Sequence, residues 1–266
     1  MMKPLMLSGA LALGVLCSSI ASAQAQGPAL FARDLCIKAR DGKGGEYRAL
    51  LLDTTAKLAK IQVESGRLAS FAIAQSVVPM GESARCDYHL VWTYEGFPPE
   101  GQSAEQDEAD MKKAGISMTR QEMIAKRREF AYPVGVDIWR WRERVGRSAK
   151  GAYARINYDR VHSGMGEWLN MESNGWKQLA EAAAEQHGTA WRAATLEMPG
   201  GADQPYNAMT IDVFPNWAAL GKGIPARQLW NKVHPERDMS AHLGRLAEIR
   251  DRPRVDVVRL LEFIEK

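Results

Sequence analysis

The sequence contains none of the compact motifs by which many catalytic and metal sites are recognised. No G-x-S-x-G, no P-loop and no G-x-G-x-x-G after a strand occurs, which leaves hydrolase and nucleotide-dependent chemistry without support. Gly164-Met165-Gly166 reads as a loop before a helix. The five histidines, His89, His162, His187, His234 and His242, form no H-x-H or H-E-x-x-H spacing, so no metal site is expected. Cysteine is scarce: Cys17, Cys36 and Cys86, with no C-x-x-C pair. Past residue 25 no run is long and apolar enough to span a bilayer. Nor is there a stripe of one charge. The 35 Lys and Arg are scattered among 32 Asp and Glu, which argues against a nucleic-acid partner.

The beginning of the chain differs in character. Lys3 precedes an apolar stretch from Leu5 to Ile20, interrupted only by Ser8, Gly9, Gly14, Ser18 and Ser19. Ala21-Ser22-Ala23 and Ala23-Gln24-Ala25 both present small residues where a signal peptidase reads. Residues 1–25 are therefore expected to be a cleaved signal peptide, with an uncleaved anchor as the rival reading. Leu16 before Cys17 argues against a lipoprotein. The mature protein is expected to be exported, periplasmic or secreted, and not held at a membrane. Its net charge falls from +3 to +2 when Lys3 is removed.

About 240 residues remain, enough for one large domain or two small ones. An apolar fraction of 45% and a charged fraction of 25% place them among ordinary globular proteins. Eight tryptophans are the excess. They imply a well-filled core, a ligand cavity, or both.

The mature sequence carries a self-similarity. Gly45-Glu46-Tyr47 matches Gly166-Glu167-Trp168, and Leu58-Ala59 matches Leu179-Ala180, both at an offset of 121. Phe71 falls on Trp191 and Pro79-x-Gly81 on Pro199-x-Gly201 at 120, and Tyr88 on Tyr206 at 118. Met118-Thr119 meets Met239-Ser240 at 121, and Val136 to Arg140 meets Val255 to Arg259 at 119. The offset changes where turn residues cluster.

Periodicity predicts the same elements in both copies. They are a strand (30–37, 152–158), a helix (46–64, 167–186) and strands at 68–78 and 88–94, or 190–197 and 206–214. A helix starting at a capping Thr or Ser follows (119–130, 240–250), then a last strand (134–142, 255–263). The acidic segment 96–115 and its counterpart 217–235 are expected to be solvated loops or short helices. This βαββαβ order, twice over, is that of the ferredoxin-like split βαβ, an α+β unit. Its bare sheet face needs covering, and two copies can cover each other.

On this element order and repeat, the chain resembles the dimeric α+β barrel superfamily in a fused, two-repeat form. The resemblance implies repeat 1 over 30–145 and repeat 2 over 152–266, their antiparallel sheets packed face to face as a pseudo-two-fold barrel. No catalytic motif of the superfamily is matched, so it implies the fold rather than the activity. In such a sheet the first and third strands are antiparallel neighbours. A Cys36–Cys86 disulfide then fits an oxidising compartment, two buried thiols being the alternative. Barrels of this superfamily that hold haem ligate it through a histidine at the cavity, which singles out His89 and His234. No cofactor is expected, although haem is not excluded.

The last strands supply the remaining candidates. Asp137 shares a face with Trp139 and Trp141, and Asp256 one with Val258 and Leu260; Arg140 and Arg259 lie on the opposite faces. Alternation does not say which face lines the cavity. Inward arginines could hold an acidic ligand, and outward ones would cover helix surface or pair with Glu143 and Glu262. Glu172 sits in an apolar helical stripe where the first copy has Leu51, either as a base of raised pKa or as a salt-bridged structural group. The leading functional reading is a binding protein for a small apolar or aromatic molecule in a Trp-lined cavity between the repeats. The alternatives are a cofactor-independent oxygenase-like or haem-linked enzyme, and a purely structural domain. A monomer is plausible because the repeats pair internally.

Overall fold

A computed structural model describes residues 28–201 and 204–266. The expected signal peptide lies outside the described residues. Eight strands close into one antiparallel barrel: β1 (Leu30–Ala39), β2 (Ser70–Val78), β3 (Tyr88–Glu95), β4 (Ala131–Val145), β5 (Tyr153–Val161), β6 (Ala190–Met198), β7 (Ala208–Phe214) and β8 (Arg250–Glu265). Their order around the barrel is β1-β3-β2-β8-β5-β7-β6-β4. Closure leaves no unpaired sheet edge. The fold is mixed α+β, with helices packed outside an eight-stranded antiparallel sheet.

β4 and β8 run 15 and 16 residues, longer than periodicity predicts. Each pairs on both sides, β4 with β1 and β6, β8 with β2 and β5. Register shifts along these pairings let the strands bend around the barrel.

A helix over 44–64 covers the first half, and Tyr47, Leu51, Ala59 and Val63 bury its apolar stripe against Phe71, Ile73 and Leu90. In the second half, a helix over 165–187 buries Trp168 and Ala180 against Trp191, Ala193 and Leu246. Each helix contains one wide π turn, Leu51–Thr55 and Glu172–Trp176. Gly175 is required in the second, because a Cβ there would lie 2.5 Å from Cε1 of His242. The helix Arg120–Phe130 begins with a Thr119–Glu122 capping box. Its counterpart Met239–Ile249 is capped by Asp238 rather than Ser240.

The segment 96–115 holds the helix Ala104–Lys113. The segment 217–235 holds Trp217–Lys222 and Ala226–Val233, and it is not simply solvated: Leu229 and Trp230 are buried against Leu179 and Ala183. The tryptophans divide between roles. Trp139 and Trp141 face the barrel cavity, Trp168, Trp191 and Trp230 fill the core of the second half, and Trp217 is exposed.

Candidate functional site

Strand alternation points every second side chain into the barrel. Ala32 and Asp34 of β1, His89, Val91 and Thr93 of β3, and Ala154, Ile156 and Tyr158 of β5 point there. The interior is graded along its axis. One end is polar, the middle apolar, and the other end basic.

At the polar end His89 is 4% exposed. Its Nδ1 lies 3.0 and 3.1 Å from the two Asp34 carboxylate oxygens. A carboxylate can only accept, so Nδ1 carries the proton there. Nε2 is buried and meets no hydrogen-bond partner. Burial opposes protonation of the ring, but Asp34, by charge and hydrogen bond, and the more distant Asp256 outweigh it and raise the His89 pKa. Asp137 accepts from Tyr206 Oη at 2.9 Å and from Arg85 Nη1 at 3.2 Å, while Arg85 also donates to Tyr206. Burial nevertheless lifts the Asp137 carboxyl above its ordinary value, against the pull of Arg85. Asp256 accepts from Arg254 Nε at 2.8 Å. Tyr158 packs 4.7 Å from Tyr206, centroid to centroid. Burial, then Asp34 and Asp256, raise its phenol well above the usual range. Three carboxyl groups, Asp34, Asp137 and Asp256, thus share this end with the guanidinium groups of Arg85 and Arg254 and the His89 imidazole.

The Cys36–Cys86 disulfide closes this end. Cys36 sits opposite His89 in the β1–β3 register, and Cys86 follows Arg85. Above the polar floor lies a cavity of about 110 Å³ walled by Trp139, Ile156, Met209, Val258 and Leu260. At its far end, where β4 and β8 finish, stand Arg144, Arg192 and Ser148. Arg192 is 6% exposed and donates to the backbone carbonyls of Val145, Trp191 and Gly146. Gly146 has φ +65° and a Cβ there would meet the Thr189 carbonyl oxygen at 2.4 Å, so the turn that offers its carbonyl depends on glycine.

Of the residues singled out from sequence, His89 and Trp139 line the cavity, and Asp137 and Asp256 belong to its polar end. Arg140 and Arg259 do not line it. They share the outward alternation of their strands and lie over Phe31 and Tyr153, 5.7 and 5.9 Å from the ring centroids. Their proposed partners are engaged elsewhere, Glu143 by Ser173 and Lys177 and Glu262 by Lys150. His234 is buried away from the barrel, its Nε2 3.0 Å from the Gly175 carbonyl oxygen and its ring 4.5 Å from that of Trp230.

A second, larger space of about 350 Å³ lies between the 165–187 helix and the outer face of the sheet. Glu172 lines it, 1% exposed, with Oε1 3.1 Å from Arg250 Nη1. Arg250 also donates to Asp159, which takes a further bond from Arg252 at 2.8 Å. One guanidinium cannot fully neutralise both acids. Burial wins over Arg250 at Glu172 and pushes its pKa up to about 8, the charge of Asp159 adding to the rise. Asp212 is held by Arg155 and Asn157, both at 3.0 Å. Each acid in this cleft already has a protein donor.

Asp34, Arg85, Tyr158, Arg144 and Arg192 complete the barrel site and are absent from the sequence candidates. Asp34 left a signal, being an acid on the same strand face as Ala32 and Cys36. Arg192 left none, because it stands among apolar neighbours in an unremarkable strand.

No protein-family model and no curated protein sequence matches the chain. The fold is similar to two solved structures that carry the name "Putative monooxygenase". One, from Fusobacterium nucleatum subsp. nucleatum, has a TM-score of 0.53 and 12% identity, covering 90% of this chain and 95% of that one. The other, from Lactobacillus acidophilus, has a TM-score of 0.50 and 11% identity, covering 90% and 97%. A haem-binding protein from Thermus thermophilus gives a TM-score of 0.47 and 11% identity, covering 88% and 92%. The likeness to the first two is one of fold, and that fold is the α+β barrel.

Proposed function

We propose that this chain binds a small apolar or aromatic molecule inside the barrel and holds one of its oxygens against Nε2 of His89. The observation that carries the reading is that nitrogen: buried, without a partner among the described residues, and set in the wall of an apolar cavity. An orphaned polar atom in such a place costs stability unless something else meets it. Protonated, Nε2–H would donate to a ligand oxygen; neutral, it would accept a proton from a ligand hydroxyl. Asp34 fixes the ring for either role. The cavity limits the ligand to about one ring, since a cavity of roughly 150 Å³ is known to take benzene.

In this reading the chain is an exported monomer whose residues 1–25 are removed. Its two ferredoxin-like repeats, 30–145 and 152–266, supply the two halves of a pseudo-two-fold barrel. The recurrence of a π turn at an offset of 121 supports the repeat. Haem is less well supported. The barrel cavity has an imidazole but no room for a porphyrin, and the larger cleft has no histidine in its lining. Cofactor-independent oxygenation of the bound ring is the second reading, which the names of the two barrel neighbours bring to this chain. It would need the ring neutral at Nε2, so that His89 could take the proton of a ligand hydroxyl, with molecular oxygen as the oxidant.

Calorimetric titration with phenol and with 2-naphthol tests the binding reading. Phenol is expected to bind the wild type and to lose at least tenfold in affinity in His89→Leu, while 2-naphthol does not bind. Equal affinity in wild type and His89→Leu would overturn the role given to Nε2.

A further inference from the structure

The other end of the cavity carries information about the ligand that His89 does not. Arg192 is almost wholly buried, yet its guanidinium meets only carbonyl oxygens: Trp191 at 2.8 Å, Gly146 at 3.2 Å, and Val145. Among the described residues no carboxylate forms an ion pair with it. Glu265, whose charge it feels, is held by Arg144, which repels it. Two guanidinium groups therefore share one carboxylate at the mouth of an apolar cavity.

A buried charge without its counter-ion is costly, and proteins normally pair it. Carbonyl dipoles orient and partly solvate Arg192 but do not neutralise it. Burial, with Arg144 adding to it, pulls its pKa down to about 10, so the group is still cationic at neutral pH. The larger cleft offers the contrast, because there each carboxylate already has its donor.

We propose that the barrel ligand is a small monocarboxylate, its carboxylate paired with Arg192 at the mouth and its apolar body lying against Met209 and Trp139. This rests on the part of the reading above that places a small ring in the barrel cavity, and it anchors that ring by a carboxylate at the mouth, independently of any oxygen held at His89. A carboxylate suits the position because a guanidinium offers it parallel, charge-assisted hydrogen bonds. The hydroxyl of Ser148, also at the mouth, can donate a further one. The interior then sorts compounds by two features, ring size in the middle and negative charge at the mouth.

Benzoate and benzamide form the test pair, matched in shape and differing in charge. The readout is the ¹³C-methyl resonance of Met209, which lines the barrel cavity and not the cleft. It is followed at pH 7 in wild type, Arg192→Met and Arg192→Lys. Benzoate is expected to move the Met209 signal and to bind at least tenfold more tightly than benzamide. That preference should shrink to under twofold in Arg192→Met and largely persist in Arg192→Lys. Equal affinities in the wild type, with Met209 shifting for both, would overturn the anion assignment and leave barrel binding standing; this comparison needs no variant to fold. A benzoate preference that survives Arg192→Met would also overturn it. If neither compound moves Met209, the barrel-binding reading itself fails, and the assignment with it.

Discussion

The barrel cavity and the helix–sheet cleft differ in a way that their sizes conceal. The cleft is about three times larger, 350 against 110 Å³. Its acids Glu172 and Asp212 are nonetheless matched by Arg250 and Arg155. The smaller space holds a histidine nitrogen with no partner and a guanidinium with no acid. Volume shows where a molecule could fit. Unsatisfied groups show where one is needed, since leaving them buried and unmatched costs free energy.

The two helices outside the barrel sharpen the point. Leu51 and Glu172 each open a π turn, and both are buried. Leu51 closes an apolar core. Glu172 accepts from Arg250, which also donates to Asp159. Glu172 thus meets Arg250 beside the cleft, whereas Nε2 of His89 meets no partner among the described residues.

Four perturbations bear on this contrast, in falling order of effect. Cys86→Ser should lower stability by about 4 kcal/mol in the chain-entropy model for a 50-residue separation. Because Arg85 precedes Cys86, the variant should also weaken phenol binding; denaturant titration and calorimetry check the two effects. Glu172→Ala should cost about 1–3 kcal/mol by leaving buried Arg250 one acceptor short, with phenol affinity unchanged. A matching loss of affinity would dissolve the distinction between the two spaces.

The third perturbation is pH. Glu172 is raised from 4.5 to about 8. Between those values the folded state holds a proton that the unfolded state has released, so this group's contribution falls as pH rises through the window. Unfolding midpoints of the wild type should drop from pH 5 towards pH 9 relative to Glu172→Gln, in which that slope disappears. His242 has the opposite sign. Burial, with His234 and Arg237 adding to it, lowers its pKa from 6.5 to about 4, so stability is lost as pH falls from 6.5 towards 4. His242→Gln should flatten that limb. Arg140→Ala and Arg259→Ala come last. Each gives up a cation–π contact on the outside of the barrel, a loss of about 0.5–1 kcal/mol, and neither should alter ligand affinity.

Much of this architecture was legible because it is written in periodicity. The strands, the two long helices and the Cys36–Cys86 bridge follow from alternation, helical spacing and the neighbourhood of the first and third strands. Asp137, Trp139 and Asp256 were visible as one face of a strand, but which face turned inward depends on closure of the whole sheet. That is why Arg140 and Arg259 remained candidates. Ser240 looked like a cap, yet Asp238 does the capping, since helix ends are set by local backbone geometry as well as by residue type. Arg192 and Asp34 were hidden for a different reason. Their significance lies in contacts distant in sequence: Asp34 meets His89 55 residues away, and Arg192 meets the Gly146 carbonyl 46 residues away.

The most direct test of the central claim is the side-chain ¹⁵N spectrum of His89 during a phenol titration at constant pH. The account predicts that the Nε2 resonance shifts to saturation with the same midpoint as calorimetric binding, while the ring nitrogens of His242 stay fixed. A His89 spectrum unchanged at saturating phenol would contradict it.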